Sequence, residues 1–245
     1  SEPVACDLGS SVRLPVPPPR DSAAPKLADS DGHFLTLSGL QKVLNGNLPE
    51  TEELLKASDL YVFETRVGIF RDEQTRTVGA DSLYNPTFVR LKRGVGLLVR
   101  LSGLPKDWEV PSLLAVGGES RMARCAPIKE DPLKALSASS KGGLLLSITP
   151  ILSPGQDWHG PEPGESVSAL DPCLQGNIES IACDRPLLVP SWDSLKGHPR
   201  DQLLAIPPGT VWWLSGSDST SGMQQVGERR RHGYGLVISA AAPKV

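Results

Sequence analysis

Apolar residues in this chain fall into short runs punctuated by proline and glycine, a texture of many brief strands and few helices. Strands are expected at Tyr61 to Glu64, and at Thr87 to Ser102 as two strands turning at Arg93 and Gly94. In the latter, Val89 and Leu91 alternate with Arg90 and Lys92, and Arg100 stands on the returning strand, so the pattern predicts one core face and one basic face. Further strands are expected at Leu113 to Val116, Leu144 to Thr149, Ile178 to Cys183, Val211 to Ser215 and Leu236 to Ser239. Helical spacing is rarer. Ser38 with Gln41 reads as a capping box ahead of Leu40, Val43 and Leu44, with Gly46 as the stop. A second helix is expected from Pro49, with Glu50, Glu52 and Glu53 in its first turn and Leu54 and Leu55 on its buried side.

Composition strengthens this picture. The 245 residues include 24 Gly and 23 Pro but only 5% aromatics, so turns and loops must be abundant. The five prolines between Arg13 and Lys26 make that stretch an extended connector, and Ser153 to Pro172 reads as a long insertion. At 39% apolar content the chain can build one large or two small cores without crosslinks. Cys6, Cys125, Cys173 and Cys183 are far apart with no C-x-x-C pair, which predicts reduced, buried thiols, no zinc site and no disulfide framework. Without an apolar run of about 18 residues or a leader-like start, the expectation is a soluble, cytoplasmic protein with no membrane partner. Ser1 in place of Met is read as the mark of an N-terminal part removed or not represented.

The net charge of -3 conceals an asymmetry. Ser1 to Asp59 carries 5 Lys+Arg against 9 Asp+Glu, Glu64 to Arg124 carries 10 against 7, and Met223 to Val245 carries 4 against 1. The last two segments set up local positive fields that screening confines to about 8 to 10 Å.

Three segments have the residue types for holding an anion. In the first, Arg66, Arg71 and Arg76 recur every five residues beside Gly68 and Gly79, offering planar donor forks to successive phosphates, with Tyr84 available to stack on a base. Glu64, Asp72, Glu73 and Asp81 offer the same arginines the alternative of surface ion pairs. In the second, the apolar Leu113 to Val116 runs into Gly117-Gly118-Glu119-Ser120-Arg121, where backbone amides of paired glycines can form an anion-holding concavity beside Arg121. A sharp β-turn accounts for those glycines equally, and no Lys-Ser/Thr follows to make a Walker loop. The third is Gly227-Glu-Arg229-Arg230-Arg231-His232-Gly233-Tyr234-Gly235, where three adjacent arginines need a negative partner, phosphate being the obvious one and a solvated hairpin tip the alternative. His232 is the one histidine inside such a segment; as a general base on a ribose hydroxyl it would require a proton donor opposite. Trp192, Trp212 and Trp213 read as packing residues.

Taken in order, these segments resemble the RAMP superfamily of CRISPR-associated proteins, and most closely its third-subunit family of the Cmr (type III-B) effector complex. The resemblance rests on Glu64 to Asp72 with Thr75-Arg76-Thr77 and Leu83-Tyr84, then Phe88-Val-Arg90, then Gly117 to Arg121. It continues through Pro190-Ser-Trp192-Asp193 and Ile206-Pro-Pro208-Gly209-Thr-Val211 to Gly227 to Gly235, about the last three quarters of the chain.

That resemblance implies an α+β, ferredoxin-like (RRM-like) RAMP fold with β-rich and loop-rich insertions. Nothing before Ser38 resembles the family's opening strand and helix, so the first βα unit is expected to be missing. Residues 1–110 would be the remainder of the N-terminal ferredoxin-like region and 111–245 the C-terminal RAMP-like region. It further implies a non-catalytic subunit that holds the 5′ tag of the crRNA and docks on the Cas10-like large subunit and neighbouring RAMP backbone subunits. The implied RNA-contacting residues are Arg66, Arg71, Arg76, Tyr84, Arg90, Lys92, Gly118, Arg121, Arg229, Arg230, Arg231, Gly233, Tyr234 and Gly235, with no metal and no cofactor. Some RAMP proteins are metal-independent endoribonucleases that process precursor crRNA, and in that alternative His232 would be the catalytic base.

Overall fold

The computed structural model describes residues 33–72, 74–117, 121–136, 142–153, 160–193, 195–215 and 222–241. These divide into two units, one of 35–53 with 136–241 and one of 33–34 with 54–135. In chain order the elements are β1 (His33–Leu35), α1 (Leu37–Leu44), β2 (Leu54–Lys56), α2 (Ala57–Leu60), β3 (Tyr61–Thr65), β4 (Gly68–Arg71), β5 (Val78–Tyr84), β6 (Thr87–Leu91), β7 (Leu113–Ala115) and β8 (Met122–Arg124). There follow β9 (Gly142–Ser147), β10 (Asn177–Ala182), β11 (Leu187–Val189), β12 (Trp192–Asp193), β13 (His198–Pro199), β14 (Leu203–Ala205), β15 (Val211–Ser215), β16 (Met223–Gln225) and β17 (Leu236–Ala241). The chain is thus mostly β with few helices, an α+β arrangement.

The larger unit is built on an antiparallel five-stranded sheet ordered β10-β15-β9-β17-β16. Its inner strands contain the continuous apolar runs Leu144-Leu145-Leu146 and Val211-Trp212-Trp213-Leu214, because both faces are covered and successive side chains point to opposite ones. One face sends Leu145, Trp212, Ile178 and Val237 into a core completed by Ile151, Val167, Leu170, Leu174, Ile206 and Val226. The other sends Leu144, Ile238 and Ala240 toward Leu44 and Leu40 of α1, with Trp213 and Met223 packed alongside. The stretch from Gly160 to Pro172, expected to be mere insertion, therefore supplies core residues. The turn before β15 is pinned from inside: Thr210 donates its amide to Ser147 Oγ (3.1 Å) while both hydroxyls donate to the Pro207 carbonyl (2.9 and 2.8 Å).

α1 begins one residue before its expected cap. Thr36, not Ser38, is the N-cap, its Oγ1 accepting the Gly39 amide at 3.1 Å. The second expected helix does not form. Thr51–Glu53 is a single 3-10 turn, Leu54 and Leu55 enter β2, and helix resumes only for Ala57–Leu60. Pairing of β2 with β1 overrides the local helical preference of these residues. Glu53 closes the turn instead, accepting the Glu50 amide (2.8 Å) and pairing with Lys42 of α1 (3.1 Å).

The smaller unit consists of two-stranded pairs: β1 with β2, β3 with β6, β4 with β5, and β7 with β8. Among its described residues none is buried. The expected hairpin within Thr87 to Ser102 is not formed, for β6 pairs with β3, from Tyr61 opposite Leu91 to Thr65 opposite Thr87, and residues 95–102 are not strand. Its expected core face is also absent, since Val89 is 57% exposed. The cysteines differ from expectation likewise: Cys125 and Cys183 are half-buried and Cys173 is exposed, all as free thiols. Among the described residues no helix is long and apolar enough to cross a membrane.

Candidate nucleic-acid interface

Residues 226–235 join β16 to β17 as the tip of a hairpin whose register runs from Met223 opposite Ile238 to Gln225 opposite Leu236. The tip is folded down onto the larger unit. The Val226 amide donates to the Gly235 carbonyl (2.8 Å), Gly235 donates to the Pro150 carbonyl (2.8 Å), and Glu228 donates to the Leu152 carbonyl (2.8 Å). Two of the loop's glycines are forced by this packing. A Cβ on Gly227 would overlap the Leu152 carbonyl oxygen, and one on Gly235 that of Val226, at φ of 71° and 80° respectively. Gly233, at φ 86°, has open space around it and serves the turn alone.

Between the glycines the chain makes a 3-10 turn, Arg230–His232, entered through Arg229 in the left-handed region at φ 51°. Left-handed geometry in a residue with a Cβ costs about 1 kcal/mol or more and persists where the surroundings hold it. Arg230 supplies that hold. Its Nε donates to the Gly227 carbonyl (2.9 Å), its Nη2 donates to Asp171 Oδ2, and its own carbonyl accepts from Gln225 Nε2 (3.2 Å). Asp171 is only 3% exposed and is itself fixed by the Cys173 amide at 2.9 Å. Burial pushes the Asp171 carboxyl up, but the hydrogen bonds from Cys173 and the Arg230 guanidinium outweigh it and hold the pKa below the usual value. The negative partner demanded by the arginine triplet is thus, for Arg230, a carboxylate of the chain itself. Arg229, Arg230, Arg231 and His232 are all exposed, Arg230 with 46% of its side chain accessible despite its bond to Asp171, and Tyr234 is half-buried. A small open pocket of about 220 Å³ adjoins Arg229, lined by Leu152, Gln202, Leu203, Leu204 and Glu228 among others.

The other expected contacts are in the smaller unit. Arg66 and Arg90 both pair with Glu64, which leaves two guanidinium groups on one carboxylate and holds the Glu64 carboxyl below its usual range, Arg66 contributing most. Phe88 lies beneath two cations, with the Arg121 guanidinium 4.4 Å and that of Arg66 6.0 Å from its ring centre. β3, β6 and the end of the β7–β8 connection thereby bring Arg66, Arg90 and Arg121 together. Arg71 is on β4 and exposed, and Arg76 turns the β4–β5 hairpin at φ 57°, with Asp72 accepting the Thr75 amide (2.7 Å) beneath it. Lys92 is exposed just past β6. The Tyr84 ring covers Gly68, occupying the space a Cβ would take. Gly118 lies outside the described residues; Gly117 before it has φ 82° and open surroundings.

Asp171, Gln225 and Leu152 are members of the loop's environment that sequence reasoning did not find. Asp171 is 59 residues from Arg230 and carries no local signal of the pairing. Among the described residues no group of three or more His, Cys, Asp and Glu is placed to hold a metal ion.

No curated protein matches the chain. Among solved structures, the chain is similar to one in the cryo-EM structure of the type III-B Cmr-beta bound to cognate target RNA and AMPPnP, state 1, at 20% identity and TM-score 0.37, over 63% of this chain and 46% of that one. A second, of the type III-B Cmr-beta bound to cognate target RNA, aligns at 18% identity and TM-score 0.36 over 72% and 50%. The chain spans about half the length of these structures' chains. A family model described as CRISPR-associated protein (Cas_Cmr3) matches residues 4–240. With nearly its whole length matched by that model, the chain belongs to the Cmr3 family of CRISPR-associated proteins.

Proposed function

We propose that this chain is a non-catalytic subunit of a type III-B CRISPR effector that holds the 5′ tag of the crRNA, using a ferredoxin-like RAMP fold as its platform. The observation that carries the reading is the β16–β17 tip, where a loop fastened to a packed sheet turns Arg229 and Arg231 outward. A flexible tip would lose conformational entropy on meeting RNA, whereas a preformed one meets phosphates with its charges already placed. Membership of a CRISPR-associated family supports RNA as the polyanion, and the similar solved structures are of Cmr-beta bound to target RNA. Phosphate contacts position the strand, and splayed bases with 2′-hydroxyls add the rest.

Docking on a Cas10-like large subunit and on neighbouring backbone subunits belongs to the same proposal. The smaller unit supports it, because Phe63 and Phe70 are 69% and 66% exposed on strands with no buried residue beneath them. Isolated two-stranded pairs are marginal in water, and a protein neighbour would supply the burial they lack.

The test is affinity for tag-bearing crRNA across a salt series in the assembled complex, comparing the parent with Arg229→Ala/Arg231→Ala. Weaker binding with a flatter slope supports the proposal; unchanged affinity and slope overturn it.

A further inference from the structure

Resting on that reading, we infer that the three adjacent arginines of the tip divide their labour: Arg230 is an internal latch closed on Asp171, and its role is to hold Arg229 and Arg231 in position for RNA. Charge alone treats the three as equivalent. The geometry does not.

Arg230 commits two nitrogens of its fork, Nε and Nη2, to the protein. One nitrogen goes to the Gly227 carbonyl at 2.9 Å, where the loop begins, and another to Asp171, on the segment that follows the 3-10 turn Val167–Ala169. The same segment is tied to the loop a second time, through the Gly227 amide and the Leu170 carbonyl (3.3 Å). Val167, Leu170 and Leu174 anchor it in the core, so the carboxylate that receives Arg230 is on a fixed support. Asp171 cannot serve solvent while 3% exposed, and a buried carboxylate left without its cation is costly. Turning Arg230 toward a phosphate would therefore leave one buried charge unpaired to gain another ion pair at the surface. Arg229, with its left-handed backbone, and Arg231, one step along the turn, are exposed.

The latch makes Arg230 a positioning residue, and Asp171 its partner. Asp171→Asn is the discriminating variant: the amide oxygen can still accept the Cys173 amide, yet the charge is gone. In the assembled complex, Arg230→Gln and Asp171→Asn are each expected to weaken binding of labelled tag-bearing crRNA by about tenfold, the scale of one charge-assisted hydrogen bond. The double variant should be no weaker than either single, and all three should keep the parental salt slope. If Arg230 is instead a phosphate ligand, Arg230→Gln flattens the slope by about 0.7 and Asp171→Asn leaves affinity unchanged or tightens it; either result overturns the latch. Leu174→Ala, which loosens the same core without touching the pair, guards against a mere stability effect. An equal loss of affinity in that variant also overturns it.

A readout without RNA separates this inference from the reading beneath it. Amide hydrogen exchange at His232 and Gly233 should speed up in both latch variants, and unchanged exchange overturns the latch. Should Arg229→Ala/Arg231→Ala leave RNA affinity intact while exchange responds as expected, the RNA reading and the positioning role fall, and the Arg230–Asp171 latch on the loop's conformation stands.

Discussion

Gly235 closes the loop against Val226: its carbonyl accepts the Val226 amide at 2.8 Å, and the two backbones are so close that no side chain fits on the glycine. Gly235→Ala should therefore destabilise the larger unit by about 3 kcal/mol or more, through both overlap and left-handed strain. Gly233→Ala, in open space, should cost only the conformational part, about 1 kcal/mol. Denaturant unfolding of the two variants side by side measures the difference, and equal costs would contradict it.

Removal of the outward arginines should lower the salt dependence of crRNA binding in steps. For a single strand, each phosphate that is no longer neutralised reduces the slope of log K against log salt by about 0.7. Arg229→Ala and Arg231→Ala measured singly then show which of the two meets a phosphate.

Glu64 holds Arg66 and Arg90 on one carboxylate. Glu64→Gln should leave stability nearly unchanged, as expected of a surface pair. The freed guanidinium groups should steepen the salt dependence of RNA binding by the assembled complex. An unaltered slope would place this arginine cluster outside the RNA footprint.

The Asp171 carboxyl has a folded-state pKa held below its ordinary value, burial being outweighed by Cys173 and Arg230. A carboxyl lowered by folding contributes stability that is complete above its unfolded pKa of about 3.9 and is lost as pH falls through the folded value. Exchange protection of His232 and Gly233, corrected for intrinsic rates, should hold constant from neutral pH to about 5 and decline below about 4. In Asp171→Asn that decline should vanish.

Purified protein incubated with labelled repeat RNA in a chelator should yield no specific product. Fragments that disappear on His232→Ala would show instead that the endoribonuclease reading of the exposed loop histidine is correct.

Four strands of the five-stranded sheet, β9, β10, β15 and β17, were legible because their signals are local and agree with their surroundings, whereas the short β11 to β14 and the edge strand β16 were not expected. Val211–Ser215 forms the strand its apolar run predicts, and Leu236–Ala241 extends the predicted one by two residues. The errors arose where distant pairing decides. Leu54 and Leu55 have good helical neighbours but are claimed by β1, and Val89 alternates correctly over a face that nothing within its own unit covers. At the candidate site, the glycines and arginines marked out the loop and its excess of positive charge, but the pairing of Arg230 inside the protein was invisible. It depends on a carboxylate 59 residues away, in a stretch whose prolines and glycines suggested only a connection. The cysteines misled for a simpler reason: composition favours burial of free thiols, and Cys173 is exposed beside a carboxylate.

β17 leaves the loop hydrogen-bonded on both flanks, to β16 on one side and to β9 on the other. A tug delivered through the loop loads β16 and β17 alike, so it would have to shear the whole β17–β9 ladder at once rather than open one bond at a time as peeling does. The hairpin is thus a mechanical anchor: force on a held strand of RNA would run down β17 into the centre of the sheet, and the grip should fail before the fold does.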